Sequence, residues 1–422
     1  LGGALPAFQL FSGNKMIKIC STLIRLPDFS GGTSSEVFKG TDSVIINIIS
    51  NTNNEDYKQY VQVLQNDGFS VYDSHSIGQN FFTTLVKEVD GRKVSVQVYY
   101  TVCNDETRVI IEPDWTSYPL TTFQNNSGIA SNKNKTTLFQ FELDYRNVDC
   151  GMCYIIRAED GSFFIIDSGH MDSVTDHIRL HDFLRTLTGE NEKIRISGWF
   201  FSHAHQDHIA KFMDFIEAGF DDYIIEKLYY NFPSLEFAPG CSEWNKEDNE
   251  TIKQFNQLIK KHPELKVCKL HCGNHFFIDN LEFEVLGTHE DIYPLSVARF
   301  NDTSTVLMLT VDDCRILFPG DANNKMSYLL VSRYADLLKS DILQLSHHGF
   351  SGGTPELYER SKSSVVLVPT DRKHFEENLY REANKTALRY AKEVYICSEG
   401  TVSLPLPYKS GCATIHLQEI NR

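Results

Sequence analysis

The feature that most limits what this chain can become is the run Trp199-Phe200-Phe201-Ser202-His203-Ala204-His205-Gln206-Asp207-His208. An apolar, strand-like stretch ends, and four residues of metal-ligand type crowd into six positions. In extended chain, positions two apart project to one side, so His203 and His205 can face one ion together. Helical spacing then begins at Ile209 and continues through Phe212, Met213, Ile216 and Phe220. That turn into a helix aims Asp207 and His208 at a neighbouring point. Neutral imidazoles with a carboxylate suit zinc, and also manganese or iron. A polar loop that holds histidines by chance is the bland alternative. Three His and one Asp in this register, straight after a buried strand, argue against it.

One loop does not complete a metal site, so other segments must contribute. Phe318-Pro319-Gly320-Asp321 puts a carboxylate after a strand and a tight glycine turn, and Ser346-His347-His348-Gly349 puts two histidines after the strand Ile342 to Leu345. Gly-Asp alone is a weak signal and His-His-Gly a moderate one. Three strand-end clusters rich in ligand types, in this order, are strong.

Around these clusters the periodicity predicts an α/β chain in two parts. Residues 1–120 read as a small N-terminal α/β module. It has a strand over Ser43 to Ser50, a helix over Asn54 to Gln65, and strands over Phe81 to Glu88, Lys93 to Thr101 and Thr107 to Glu112. Asp90-Gly91 marks a hairpin. The module carries no catalytic constellation; its lone His75 reads as a surface or loop residue, and its role is open, with partner binding or dimerisation as candidates. Residues 121–136 are polar and aperiodic, which predicts a linker. Residues 137–422 form the second part. Its predicted strands include Tyr154 to Arg157, Ser162 to Asp167, Ile194 to Ser202, Leu281 to Leu286, Thr305 to Val311, Arg315 to Phe318 and Ser364 to Val368, with helices near 249–261 and 325–339. Helices packed on sheet faces are the expected layering. The aromatic segment Tyr223 to Trp244, with Tyr229, Tyr230, Phe232 and Phe237, reads either as a wall of the site or as packing of an inserted subdomain.

Composition narrows the partners. Lys plus Arg is 40 against Asp plus Glu at 56, a formal charge of −16, which disfavours a non-specific grip on nucleic acid. No apolar stretch approaches the ~20 residues of a membrane helix. No early basic-then-apolar segment marks a secretory signal, although the chain opens on leucine and Met16 is an alternative start. A cytoplasmic protein acting on a small molecule is the expectation. Ten cysteines without a repeated framework read as buried thiols. Cys150 and Cys153 form a C-x-x-C, but strand-like Tyr154 to Ile156 follows where a redox pair wants a helix, so both read as sheet residues. Cys268 and Cys272 lack a second pair at zinc-site spacing.

On these motifs the chain resembles the metallo-β-lactamase superfamily, whose hallmark is H-x-H-x-D-H at a strand end. The nearest likeness is to the hydrolase domain of ComEC-type competence (DNA-uptake) proteins, over about Asp149 to Leu417. Asp149-Cys-Gly151, Phe163-Phe-Ile-Ile-Asp167-Ser-Gly169, Asn301-Asp-Thr-Ser304, Pro319-Gly-Asp321, Ser346-His-His-Gly349 and Val365 to Thr370 carry it. The resemblance implies an αββα sandwich and a hydrolase with two divalent metals. His203 and His205 would hold one ion, Asp207 and His208 the second, and Asp321 would bridge them. His347 would complete the second site, with His348 beside it as a hydrogen-bonding or proton-donating group, the two roles being exchangeable. Asp207, Asp321 and His348 are thus the expected catalytic residues, and Asp167 the expected support behind a ligating histidine. The chain departs from the pattern where many members place a further histidine; His289, Asn301 or Asp302 would have to serve. His348 or His374 would protonate a leaving group.

The superfamily's redox branch usually has a carboxylate where His205 stands, so His205 favours hydrolysis. Phosphodiester cleavage is the expected reaction, on a small phosphodiester or phosphorylated alcohol, with a carboxylic ester or lactone as runner-up. A metal-stabilised binding or scaffold protein is the reading from another class. Structural zinc sites are closed and often Cys-rich, which this His/Asp set is not.

Overall fold

A computed structural model describes residues 16–19, 22–39, 44–120, 134–146, 148, 150–233, 246–293 and 300–417. Three larger sheets organise them. The first two form a sandwich. One sheet runs in the order Val267–Cys268, Leu228–Tyr229, Ile194–Phe200, Phe163–Ile166, Tyr154–Arg157, Thr137–Gln140, Thr401–Pro405, Thr414–His416, with Tyr223–Ile225 also on Ile194–Phe200. The other runs His275–Ile278, Leu281–Gly287, Val306–Val311, Cys314–Phe318, Ile342–Gln344, Val365–Val368, Glu393–Ile396.

Alternation explains why they stack. Tyr154, Ile156, Phe164, Ile166 and Phe200 share a buried cluster with Phe276, Phe283, Leu307, Leu309, Ile316 and Phe318 of the opposite sheet. The Phe164 and Phe283 rings meet at 4.3 Å between centroids. The intervening residues Ile155, Phe163, Ile165 and Trp199 face the other way, onto Leu180, Leu184, Ile209, Phe212 and Phe215 of outer helices. Leu317, Leu343, Val366 and Val368 likewise meet Met326, Leu330 and Leu357. Sheets buried on both faces need near-continuous apolar strands, which is what FFII and VLMLTV supply. The expected αββα layering is present.

Parallel pairing brings the carboxyl ends of strands side by side, where sites of such folds form. Phe163–Ile166 is parallel to Ile194–Phe200, and Cys314–Phe318, Ile342–Gln344 and Val365–Val368 are mutually parallel neighbours. Asp167, His203, Asp321, His347 and His348 all lie just past such ends.

The third sheet is antiparallel throughout, in the order Ser34–Lys39, Ile45–Ser50, Glu106–Glu112, Arg92–Thr101, Asn80–Val89, Ser70–Ile77. One face packs on the helix Asn54–Asn66 through Tyr57, Tyr60 and Leu64, against Leu85, Val96 and Val98. The other face is continuous with the main core through Ile46, Ile48, Phe82 and Tyr99. Phe82 lies so close to Gly273 that a Cβ there would sit 1.9 Å from the ring. Buried charges cross the same contact. His271 bridges Glu290 at 2.6 Å and Glu112 at 3.1 Å, and Arg108 donates to the carbonyls of Glu290 and Tyr293. Arg333 pairs with Asp291, which also accepts from Tyr99. The strand Ser70–Ile77 was not expected from the sequence, and its His75 stacks on Phe82 rather than lying in a loop. The expected linker falls almost entirely on residues 121–133, outside the described residues. Among the described residues no helix is long and apolar enough to cross a membrane.

Candidate metal centre

The backbone that presents the donors is unusual in places where the sequence permits it. His205 is the extended N-cap of the helix Gln206–Glu217, so Asp207 falls in the first turn, where the helix dipole favours a carboxylate. Gly320 has φ +57°, and a Cβ there would meet the Ser202 side chain at 2.9 Å; glycine lets the Asp321 turn press against the histidine loop. His347, His348 and Gly349 are all left-handed, with φ of 48°, 54° and 78°. Two consecutive non-glycine residues in that region cost roughly 1–3 kcal/mol each and persist only where surroundings enforce them. Here the His347 N–H donates to the Gly320 carbonyl at 3.2 Å, and Ser346 Oγ donates to the Ala322 carbonyl at 2.7 Å. The two turns are thereby locked together.

Two donor groups result. Asp207, His208, Asp321 and His348 place one ligand atom each within 4.8 Å of the others, and so do His203, His205 and Asp321. Asp321 belongs to both. In the first group His348 Nε2 is 2.9 Å from Asp207 Oδ2 and 3.4 Å from Asp321 Oδ2, and His208 Nε2 is 3.3 Å from Asp321 Oδ2. In the second, His203 Nε2 is 2.9 Å from His205 Nδ1 and 3.8 Å from Asp321 Oδ2.

The two adjacent histidines are placed differently. His348, not His347, joins Asp207, His208 and Asp321. The left-handed turn rotates consecutive side chains, so His347 falls outside both groups and meets Asn301 Nδ2 at 3.0 Å and Ser351 Oγ at 3.2 Å. With Nδ1 2.8 Å from the Pro369 carbonyl, Nε2 is the ring nitrogen that His348 presents to the group.

Those outer contacts fix the rings. With Nδ1–H given to a carbonyl, His348 turns an Nε2 lone pair to the group. Asp167 does the same for His208, its Oδ2 lying 2.7 Å from Nδ1, while it also accepts from Ser202 N and Ser202 Oγ, each at 2.7 Å. Ser202 Oγ is 3.1 Å from His203 Nδ1. Neither Ser202 nor the Pro369 carbonyl was foreseen; the only local signal was that both adjoin strand ends.

The charge balance calls for cations. Burial works against charge on His348 and His208, yet the carboxylates of Asp321 and Asp207 outweigh it, holding His348 up to about 10 and His208 well above its usual value. Burial likewise opposes ionisation of Asp207 and Asp321, but His208 and His348 hold both carboxyls well below the ordinary range. His203 is pushed well below its usual value by burial and by its histidine neighbours. Without metal, protons on imidazoles do the balancing. At the centre of the cluster His208 Nε2, His348 Nε2 and Asp321 Oδ1 complete no hydrogen bond although fully buried. Buried polar atoms seldom go unsatisfied. Nitrogen lone pairs and carboxylate oxygens converging on two points fit divalent metals with imidazole and carboxylate ligation.

Other expected participants lie elsewhere. His289 Nδ1 is 3.1 Å from the Asn231 carbonyl, and Asp302 Oδ1 accepts from Asn323 N and Met326 N at the start of the helix Asn324–Tyr334. His374 is held by Asp371, and the Phe350 ring stands between it and His348, at 6.1 and 5.9 Å. Tyr230 and Phe232 pack on Phe255 and Phe201 in the core, so packing and not a site wall describes them. Phe237, Trp244 and Asp149 lie outside the described residues. Cys153 is buried just before the strand Tyr154–Arg157, and burial raises its thiol well above the usual value, the opposite of a redox-active cysteine.

No family model matches the chain, and no curated protein does. Among solved structures it is similar to CmlA, a diiron beta-hydroxylase from Streptomyces venezuelae, at 10% identity and a TM-score of 0.38. That match covers 63% of this chain and 53% of CmlA, so the chain spans about half of CmlA's length. It is also similar to unliganded yeast PDE1 (13% identity, TM-score 0.37, 62% of this chain and 98% of that one) and to a long form of yeast RNase Z (8%, 0.37, 67% and 50%). At such scores these likenesses say nothing of the reaction, which has to be read from the site.

Proposed function

We propose that this chain is a metal-dependent hydrolase that cleaves a small phosphodiester or phosphorylated substrate. The observation that carries the reading is the pair of donor groups sharing Asp321. Divalent cations held by these residues would lower the pKa of a bound water toward neutrality and offset charge developing on substrate oxygens. The chain's own residues prepare that chemistry. Asp321 Oδ2 faces His203 on one side and His208 and His348 on the other, and Asp207 would bind beside His208 and His348. Asp167 and the Pro369 carbonyl hold two imidazoles in the tautomer that presents Nε2. The fully buried Phe300 packs its ring 4.8 Å from that of His205. Donors locked in this way need little rearrangement on binding.

Only two carboxylates, Asp207 and Asp321, stand among the six donor residues. They carry less negative charge than two divalent cations bring, which favours an anionic ligand over a neutral ester. The motif likeness to ComEC-type domains supports the same choice, while the net charge of −16 speaks for a small substrate over a nucleic acid. The test is turnover of bis(p-nitrophenyl) phosphate and p-nitrophenyl acetate by full-length protein purified without chelator, with Asp321→Ala as control. Phosphodiester turnover lost in the variant is the expected result. Ester turnover alone would replace the substrate class, and no turnover of either with added manganese or zinc would leave a metal-binding scaffold.

A further inference from the structure

Among the described residues the two donor groups are unequal: one offers four residues, the other His203, His205 and the shared Asp321. We propose that Asn301, through its amide Oδ1, supplies the missing donor of the poorer group. This inference rests on the metal-centre reading above and adds to it a ligand and an order of filling.

Three residues were open for this place from the sequence, and the structure commits two of them elsewhere. His289 stands in neither donor group, and its Nδ1 lies 3.1 Å from the Asn231 carbonyl. Asp302 is spent on backbone N–H groups of the helix Asn324–Tyr334. Asn301 remains. Its neighbour Phe300 packs on the rings of His205 and His203, at 4.8 and 6.4 Å, which brings residue 301 beside the poorer group. Its Nδ2 lies 3.0 Å from Nε2 of His347, whose ring is 6.1 Å from that of His348 in the other group. An amide nitrogen only donates, so in this contact Nε2 of His347 accepts from Asn301. With Nδ2 so engaged, Oδ1 faces away from His347. It is buried and completes no hydrogen bond, in a residue only 5% exposed. An unpaired amide oxygen at that depth costs on the order of 1–3 kcal/mol unless something binds it.

The chemistry of the donor sets the consequence. An amide oxygen is neutral and hard, so it suits manganese or magnesium better than a further imidazole would, and holds zinc less firmly. The four-residue group fills first and tightly; the Asn301 group fills second and weakly.

The experiment is a titration of the metal-free full-length chain with Mn²⁺, the free ion being read by electron paramagnetic resonance. Wild type, Asn301→Ala, Asn301→Asp and His347→Ala are compared. The wild type should bind two Mn²⁺ with separable affinities. Asn301→Ala should weaken the second by about tenfold to a hundredfold and leave the first unchanged. Asn301→Asp, which puts a carboxylate oxygen in the same place, should tighten the second, an effect that a folding defect cannot imitate. Equal second-ion affinity in wild type and Asn301→Ala would overturn the inference while leaving the metal centre intact. So would a loss in His347→Ala with none in Asn301→Ala. A wild type that binds no Mn²⁺ would instead overturn the proposed function itself.

Discussion

Asp167→Asn is the perturbation that separates a metal centre from a merely polar core. Asp167 is fully buried and touches no proposed metal position, yet it accepts from Ser202 N, Ser202 Oγ and His208 Nδ1, all at 2.7 Å. Its φ is +56°, a region that asparagine tolerates almost as well as glycine, so the backbone has no reason to move. In the variant, Oδ1 still accepts from Ser202 N, while the new amide N–H faces Nδ1 of His208. That nitrogen must then accept, which drives the ring proton to Nε2, the atom aimed at Asp321. One charge-assisted hydrogen bond is lost, worth about 1.5–3 kcal/mol. Outer supports of metal ligands typically cost ~10–100-fold in affinity, or about 1.4–2.7 kcal/mol, and the two figures agree. Zinc affinity measured by competition with a chromophoric chelator should therefore fall by that factor, with the circular dichroism of the chain unchanged. Unchanged affinity would show that the His208 tautomer does not matter, and the metal reading of the cluster would lose its main physical support.

Further predictions concern the contact of the N-terminal sheet with the sandwich. Arg333→Met leaves the Asp291 carboxylate buried without its partner, both side chains being 0% exposed, and should cost about 3–5 kcal/mol in chemical denaturation. Adding Asp291→Asn should recover part of that loss; a double variant as unstable as the sum of the singles would refute the pairing. His271, between Glu290 and Glu112, is opposed by burial but raised by those carboxylates to about 9, above the ordinary ~6.5. The stability it contributes is complete below the ordinary value and lost as pH rises through about 9. The melting temperature should fall across that window in the wild type and fall less in His271→Gln; parallel profiles would contradict this.

What the sequence made legible was local and periodic. His203, His205, Asp207 and His208 were readable because a strand and a helix meet within their own segment, and Asp321 because a glycine turn follows a strand. The choice between His347 and His348 was not, since it depends on two non-glycine residues holding left-handed backbone, which no propensity announces. The strand Ser70–Ile77 escaped because Asp73, Ser74, His75 and Ser76 interrupt any apolar alternation at a sheet edge. The buried charges Glu112, His271, Glu290 with Asp291, and Arg333 come from four separate segments, so nothing short of the fold could show that they meet.

The most direct test of the central claim is anomalous scattering from crystals of chelator-free protein, recorded across the absorption edges of zinc, manganese and iron. Two peaks flanking Asp321, one beside His208 and His348 and the other beside His203 and His205, are the expected result. Featureless density at both positions, in protein that still turns over bis(p-nitrophenyl) phosphate, would contradict it.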